Sequence, residues 1–143
     1  MRIFKTTWFT RFANKEGILD TDLLEMVNQL EEGQADDVAP LHGDSNNPSH
    51  RQNARRTYVD LGGGVFKVRV ARPGEGKSGG YRVIVFFKSK ERTFFVYGFA
   101  KSNRHNLNQR ELKAYKRDAK VDHGLTDEQI NERLRKGTLI EIF

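Results

Sequence analysis

Hydrophobic side chains recur every three or four residues in the N-terminal part of the chain, a spacing that predicts amphipathic helices. A short strand at residues 3–5 precedes a first helix, which Thr6 or Thr7 caps and Gly17 ends. A second helix ends at Gly33. Its inner face is formed by Leu23, Leu24, Val27 and Leu30. We expect this face in the core.

From Leu61 the hydrophobic period changes to two, which predicts β-strands. The apolar residues on one face of the first strand are Phe66, Val68 and Val70. Two more strands, rich in Val, Ile, Phe and Tyr, are predicted at 81–88 and 93–101. Because the connections are too short for crossovers, the three strands form an antiparallel meander.

Two capping signals mark helices in the C-terminal part of the chain. Asn108 precedes Glu111 by three residues, and Thr126 begins a second capping box in a helix that Gly137 ends. The apolar positions of these two helices are Leu112, Tyr115, Ala119, Ile130 and Leu134. The tail at 139–143 alternates like a strand, and either pairs with the sheet edge or packs on the helices. The order of elements indicates an α+β fold, in which a three-stranded meander and an N-terminal strand pack on helices.

Residues 34–60 have little apolar periodicity and many small polar residues, so we interpret them as an inserted loop in one domain that spans 1–143. His42 and His50 lie in this loop with Asp44 between them. Loop histidines without further ligands are usually solvated, since a metal site needs three or four fixed ligands. We therefore predict neither a metal site nor a cofactor.

Length and composition narrow the class of protein. The chain has 143 residues, a length typical of a single domain. It has no cysteine, so disulfides, thiolate catalysis and Cys-based zinc sites are excluded. No apolar run approaches the length of a membrane span, and the N-terminus lacks the apolar stretch of a signal peptide. We expect a cytoplasmic protein without a membrane partner.

The net charge of +6 is concentrated in the middle of the chain. Residues 65–123 hold 15 basic and 5 acidic side chains, whereas residues 1–64 hold 7 basic and 10 acidic ones. A basic segment of this kind indicates a polyanionic partner such as nucleic acid, although a solvated lysine-rich surface would have the same composition.

A glycine-rich segment between the first two meander strands contains Gly76-Lys77-Ser78, the ending of a phosphate-binding P-loop. The strict motif requires glycine where this chain has Ala71, and it leads into a helix, whereas a strand follows here. We reject a nucleotide hydrolase and predict a basic hairpin turn, with exposed amides suited to a phosphate backbone, around Arg72 and Lys77.

Basic residues converge on the strand face opposite the apolar one. Lys67 and Arg69 alternate with the apolar residues of their strand, and Arg82 lies on the neighbouring strand. We predict a catalytic cluster of Lys67, Arg69, Arg82, Lys101, Arg104 and His105. We predict RNA contacts from Arg72, Lys77, Tyr81 and Asn108. Such cations suit a phosphorane formed by 2′-hydroxyl attack, a reaction that also needs a base and an acid.

The sequence resembles the RelE/HigB-like toxins of bacterial toxin–antitoxin systems. The matching stretches are LGGGVFKVRVARPGEGKSGGYRVIVFF and FFVYGFAKSNRHNL. The resemblance implies a RelE-like fold and ribosome-dependent mRNA cleavage that inhibits translation. It also implies a cognate antitoxin, which we expect to be a helix-turn-helix protein.

The family's basic positions fall on Lys67, Arg69, Arg82 and Lys101, with Arg104 following. This chain has Ser102 where well-studied members have an arginine, and Asn108 where they have a base-stacking tyrosine. These departures leave the identity of the general acid open. The general base is open as well, between Lys67, His105 and a substrate-bound water. Two other functions also stay open: a gyrase-type toxin of the same fold that acts by binding, and an RNA-binding domain without cleavage.

Overall fold

The computed structural model describes residues 1–38, 57–72, 76–100 and 107–143, and for 35–38, 71–72 and 76–79 it describes the backbone. The helices are α1 (Thr7–Glu16), α2 (Asp20–Val38), α3 (Gln109–His123) and α4 (Asp127–Lys136). The strands are β1 (Arg2–Thr6), β2 (Tyr58–Gly62), β3 (Val65–Arg72), β4 (Gly76–Lys88), β5 (Arg92–Ala100) and β6 (Leu139–Ile142).

These strands form one sheet in the order β2-β3-β4-β5-β1-β6. Strands β1 and β5 pair in parallel, and the other neighbours are antiparallel. The α+β fold class and the β3-β4-β5 meander are thereby confirmed. The sheet is larger than predicted, because β2 adds to one edge and the C-terminal tail forms β6 on the other.

The sheet carries helices on both faces, whereas the sequence predicted a cationic face opposite the helices. Alternation in β4 divides its side chains: Val83 and Val85 belong to the core beneath α1 and α2, while Ile84 and Phe86 belong to the core beneath α3 and α4. We call these the α1–α2 face and the α3–α4 face. The second pair of helices was predicted, but its position on the sheet was not.

The helix α2 continues to Val38 and does not end at Gly33 as predicted. Gly33 is buried, and a Cβ there would lie 1.5 Å from the Tyr58 Oη. This glycine therefore permits close approach of a strand side chain and does not act as a helix end. The polar segment predicted at 34–60 is consequently shorter at both ends, and residues 39–56, with His42 and His50, lie outside the described residues.

The other predicted helix ends are confirmed by their capping contacts. The Thr6 side chain accepts a hydrogen bond from the Phe9 amide, and complete capping boxes begin α3 and α4. Gly17 and Gly137 take left-handed conformations after α1 and α4, with φ of 76° and 78°. In the described ranges, no helix combines the length and apolar character needed to cross a bilayer.

Candidate nucleic-acid interface

Three cationic side chains meet on the α3–α4 face of the sheet, where they project from the neighbouring strands β3 and β4. Lys67 and Arg69 project from β3 with Val65, a core residue of that face. Arg82 projects from β4 directly opposite Arg69, and Ile84 lies opposite Lys67. We call Lys67, Arg69 and Arg82 the cation cluster. The structure brings together these three predicted residues.

The members of the cation cluster differ in their exposure. Arg69 is exposed and Lys67 is half-buried, whereas Arg82 is only 7% exposed. An Arg82 Nη1 donates a hydrogen bond to the Tyr81 carbonyl oxygen at 3.3 Å. Among the described residues, no carboxylate forms an ion pair with Arg82. The buried side chain of Arg82 is thus paired across the two strands with the exposed side chain of Arg69.

The proximity of like charges changes the acidity of the cluster. Burial lowers the pKa of Lys67, and the neighbouring charges of Arg82 and Arg69 lower it further. Burial also lowers the pKa of Arg82, with a second contribution from Arg69. An incoming anion would relieve this mutual repulsion. The cluster is thus suited to bind a phosphate and to neutralise charge that develops on it.

Aromatic residues of β5 border the cation cluster on the side of Arg82. Phe99 of β5 lies directly opposite Arg82 and is 5% exposed. Tyr97, two positions earlier, lies opposite Ile84 and contacts the Phe99 ring at a centroid distance of 6.0 Å. These apolar neighbours lower the local dielectric constant, so the cations would act on a bound phosphate more strongly than they would in water.

Other predicted site residues cannot be placed with the cluster. Lys101, Arg104 and His105 lie outside the described residues, as does Ser102. Arg72 and Lys77 are described by their backbone, as members of β3 and β4. The second strand of the meander was predicted at 81–88, but β4 already begins at Gly76.

Tyr81 and Asn108, two of the predicted RNA contacts, make structural contacts of their own. Tyr81 is 3% exposed on the α1–α2 face, where its Oη donates to a carboxylate oxygen of Glu16 at 2.8 Å. The Asn108 side chain accepts from the Glu111 amide at 2.8 Å and thereby caps α3. Tyr81 therefore lies on the opposite face of the sheet from the cluster, and the Asn108 side chain is engaged in a helix cap.

Sequence reasoning missed the aromatic residues beside the cluster. Tyr97 and Phe99 were assigned only to a strand, because the pairing of β5 with β4 has a register shift between Ile84 and Val85. That shift interrupts simple alternation, so the face of these residues could not be read from the sequence. In the described part of the chain, no group of three or more His, Cys, Asp or Glu side chains is arranged to hold a metal ion.

The family model described as the RelE toxin of the RelE/RelB toxin–antitoxin system matches residues 1–41 and 50–142, nearly the whole chain. The six-stranded, mainly antiparallel sheet with four helices in the described residues is consistent with the RelE-like fold. Membership implies a role as the toxin of such a system and a cognate antitoxin as its partner. The chain therefore belongs to the RelE toxin family.

Proposed function

We propose that this toxin is an endoribonuclease that cleaves mRNA on the ribosome, by attack of a 2′-hydroxyl on the adjacent phosphate. The observation that carries this proposal is the cation cluster, in which Lys67, Arg69 and Arg82 converge on one sheet face. The reaction transfers the 2′-hydroxyl proton to a base, forms a bond from the 2′-oxygen to phosphorus, and breaks the bond to the 5′-oxygen. An acid then protonates the departing 5′-oxygen.

Each member of the cluster has a role that follows from its environment. Arg82 is held by burial, so it supplies fixed positive charge to the equatorial oxygens of the phosphorane. Arg69 is exposed, and it binds the incoming phosphate. Lys67 has a lowered pKa, which makes its neutral form more accessible and favours it as the base. His105 and a substrate-bound water are the alternative bases.

Primer extension on mRNA from cells that express the toxin tests this proposal. We expect discrete cuts within translated codons, and loss of those cuts in Arg82→Ala and in Lys67→Ala/Arg69→Ala. The double variant should keep the fold, because neither side chain is part of the apolar core. Lys136→Ala is the matched control, since Lys136 lies on α4 in an exposed pair with Glu132. Circular dichroism of each purified variant verifies folding.

A second message that lacks a ribosome-binding site tests the dependence on translation. We expect this message to remain intact while its translated counterpart is cut. Cuts that persist in Arg82→Ala would contradict the assigned chemistry. Growth arrest with intact message and damaged DNA would instead indicate a gyrase-type toxin, and RNA binding without cuts would indicate an RNA-binding domain.

A further inference from the structure

The outer edge of β5 lacks a neighbouring strand over its last residues in the described part of the chain. Strand β1 pairs only with Arg92–Phe95, so the edge from Tyr97 to Ala100 extends past it. Helix α1 lies beside this edge, and Gly98 allows the approach, since a Cβ there would be 2.3 Å from the Phe12 ring. A groove of about 430 Å³ remains between α1 and the end of β5.

Aromatic side chains form one part of this groove. Trp8 of α1 is 44% exposed, and its ring lies 4.3 Å from the Tyr97 ring and 5.7 Å from the Phe12 ring, centroid to centroid. Phe99 also lines the groove. Trp8 and Tyr97 are partly exposed, and partly exposed aromatic rings are the surfaces on which the bases of single-stranded nucleic acids stack.

Basic side chains form another part of the groove. Arg11 and Lys15 lie one turn apart on α1, and both are exposed and line the groove. Glu16 lines it as well, but its Oε1 already accepts the Tyr81 hydroxyl at 2.8 Å. The groove therefore presents net positive charge next to aromatic rings, a combination that complements a phosphate backbone and its bases.

Phe99 lies next to both the groove and the cation cluster. It lines the groove and is paired with Arg82 on the adjacent strand, so one side of the groove is one strand spacing, about 5 Å, from the backbone of Arg82. We propose that the groove binds single-stranded RNA next to the phosphate held by the cation cluster, with a base against Trp8 and phosphates at Arg11 and Lys15. This inference rests on the proposed function, because it takes its ligand from it.

Several features favour RNA over the other ligand of matching charge, an acidic peptide. A peptide could use the two cations and the strand edge, but it would not need stacked aromatic rings. The shared position of Phe99 also links the groove to a cluster that is suited to phosphate. The acidic peptide is therefore the competing outcome of the test.

Trp8 provides a direct readout, because it is the only tryptophan in the chain. The full-length toxin is titrated with a fluorescein-labelled, 2′-O-methyl single-stranded RNA of about eight nucleotides, within the usual range of single-strand sites. The 2′-O-methyl groups prevent cleavage, so the assay measures binding alone. We expect saturable quenching of tryptophan fluorescence and a parallel rise in the anisotropy of the label.

Two variants locate the binding. Arg11→Ala/Lys15→Ala should weaken binding roughly tenfold and reduce the slope of log K against log salt by about 0.7 for each phosphate that is no longer neutralised. Trp8→Ala should weaken binding measured by anisotropy by a similar factor, as expected for a stacked base. Lys136→Ala should bind like wild type, and circular dichroism should show all variants folded.

The outcomes separate this proposal from the proposed function. Unchanged fluorescence on binding, or equal affinity of Arg11→Ala/Lys15→Ala and wild type, would overturn the groove as an RNA site. Quenching by poly-glutamate but not by RNA would assign the groove to an acidic protein partner and also overturn it. Specific quenching by RNA, together with a complete absence of cuts in translated mRNA, would leave the groove supported and the endoribonuclease proposal refuted.

Discussion

Replacing Arg82 with methionine is expected to make the protein more stable and less active at the same time. Arg82 is 7% exposed, its pKa is lowered by burial and by Arg69, and none of the described carboxylates pairs with it. A methionine of similar length removes the buried charge and retains apolar contacts. Replacement of buried ionic groups by apolar ones stabilises proteins by about 1–4 kcal/mol, and we expect the lower end, about 1 kcal/mol.

For a domain of this length, that change corresponds to a rise in melting temperature of about 4 °C. Urea denaturation followed by circular dichroism measures the free energy of unfolding, with the slope m verifying that the same surface is exposed. Added salt should narrow the difference between wild type and Arg82→Met, because it screens the repulsion between the cations. Cleavage should fall by about 10²–10³, the typical loss for one group that stabilises transition-state charge.

Arg92→Met is the matched control, because Arg92 lies on the neighbouring strand but has partners. Its guanidinium is 3.3 Å from the Asp127 carboxylate and donates to the Asp122 carbonyl oxygen, and its side chain is 15% exposed. This variant should lose stability or leave it unchanged while cleavage stays at the wild-type level. A loss of more than about 1 kcal/mol in Arg82→Met, at unchanged m, would refute the reasoning, because it would mean that the native state favours this charge.

Two further predictions concern the fold. Gly33→Ala should lower the free energy of unfolding by about 1–2 kcal/mol in urea denaturation, because overpacking against the Tyr58 hydroxyl exceeds the gain of about 1 kcal/mol in helix propensity. In a Tyr58→Leu background, the same change should be neutral or stabilising. Equal losses of stability in both backgrounds would contradict the contact between Gly33 and Tyr58. The His123 ring packs edge-on to Phe94, and burial, with Lys88 and Arg92 nearby, lowers its pKa below the ordinary 6.5. The unfolded state therefore binds more protons just below pH 6.5, so stability should be complete above that pH and fall as the pH is lowered through the folded pKa. His123→Phe should remove this contribution to the pH dependence in urea denaturation, and an unchanged profile would assign it to another group.

Local signals in the sequence predicted the elements that depend on neighbouring residues alone. Thr6 and Asn108 begin helices because each side chain satisfies an amide a few residues later, and Gly137 ends one because it tolerates a left-handed conformation. Gly33 carries the same local signal as Gly137 but lies within a helix. Its role depends on Tyr58, which is 25 residues away in the chain, and such contacts leave no trace in the local pattern.

Strand pairing between distant parts of the chain likewise limited how much of the site the sequence could predict. Alternation along β3 was sufficient to place Lys67 and Arg69 on one face. The parallel pairing of β1 with β5 could not be predicted, because its partners are distant in the chain and no turn fixes their register. That pairing ends at Phe95, and it is the reason that the groove beside Tyr97 exists.

The burial of Arg82 connects the stability of the fold with its activity. The cations lie on adjacent strands, where burial and the charge of Arg69 lower the pKa of Lys67 and of Arg82. Arg82 is nearly inaccessible to water, so we expect the burial of its charge to be unfavourable for folding. A phosphate bound as proposed would reduce the repulsion between these cations, because the positive charges already lie on one face of the sheet. The reduction would be largest when negative charge accumulates on the phosphate, as the proposed reaction requires. Arg82 itself pairs with no carboxylate in the described part of the chain, whereas Arg2 and Arg92 on the same sheet do, so anion binding accounts for its burial better than a contribution to stability does.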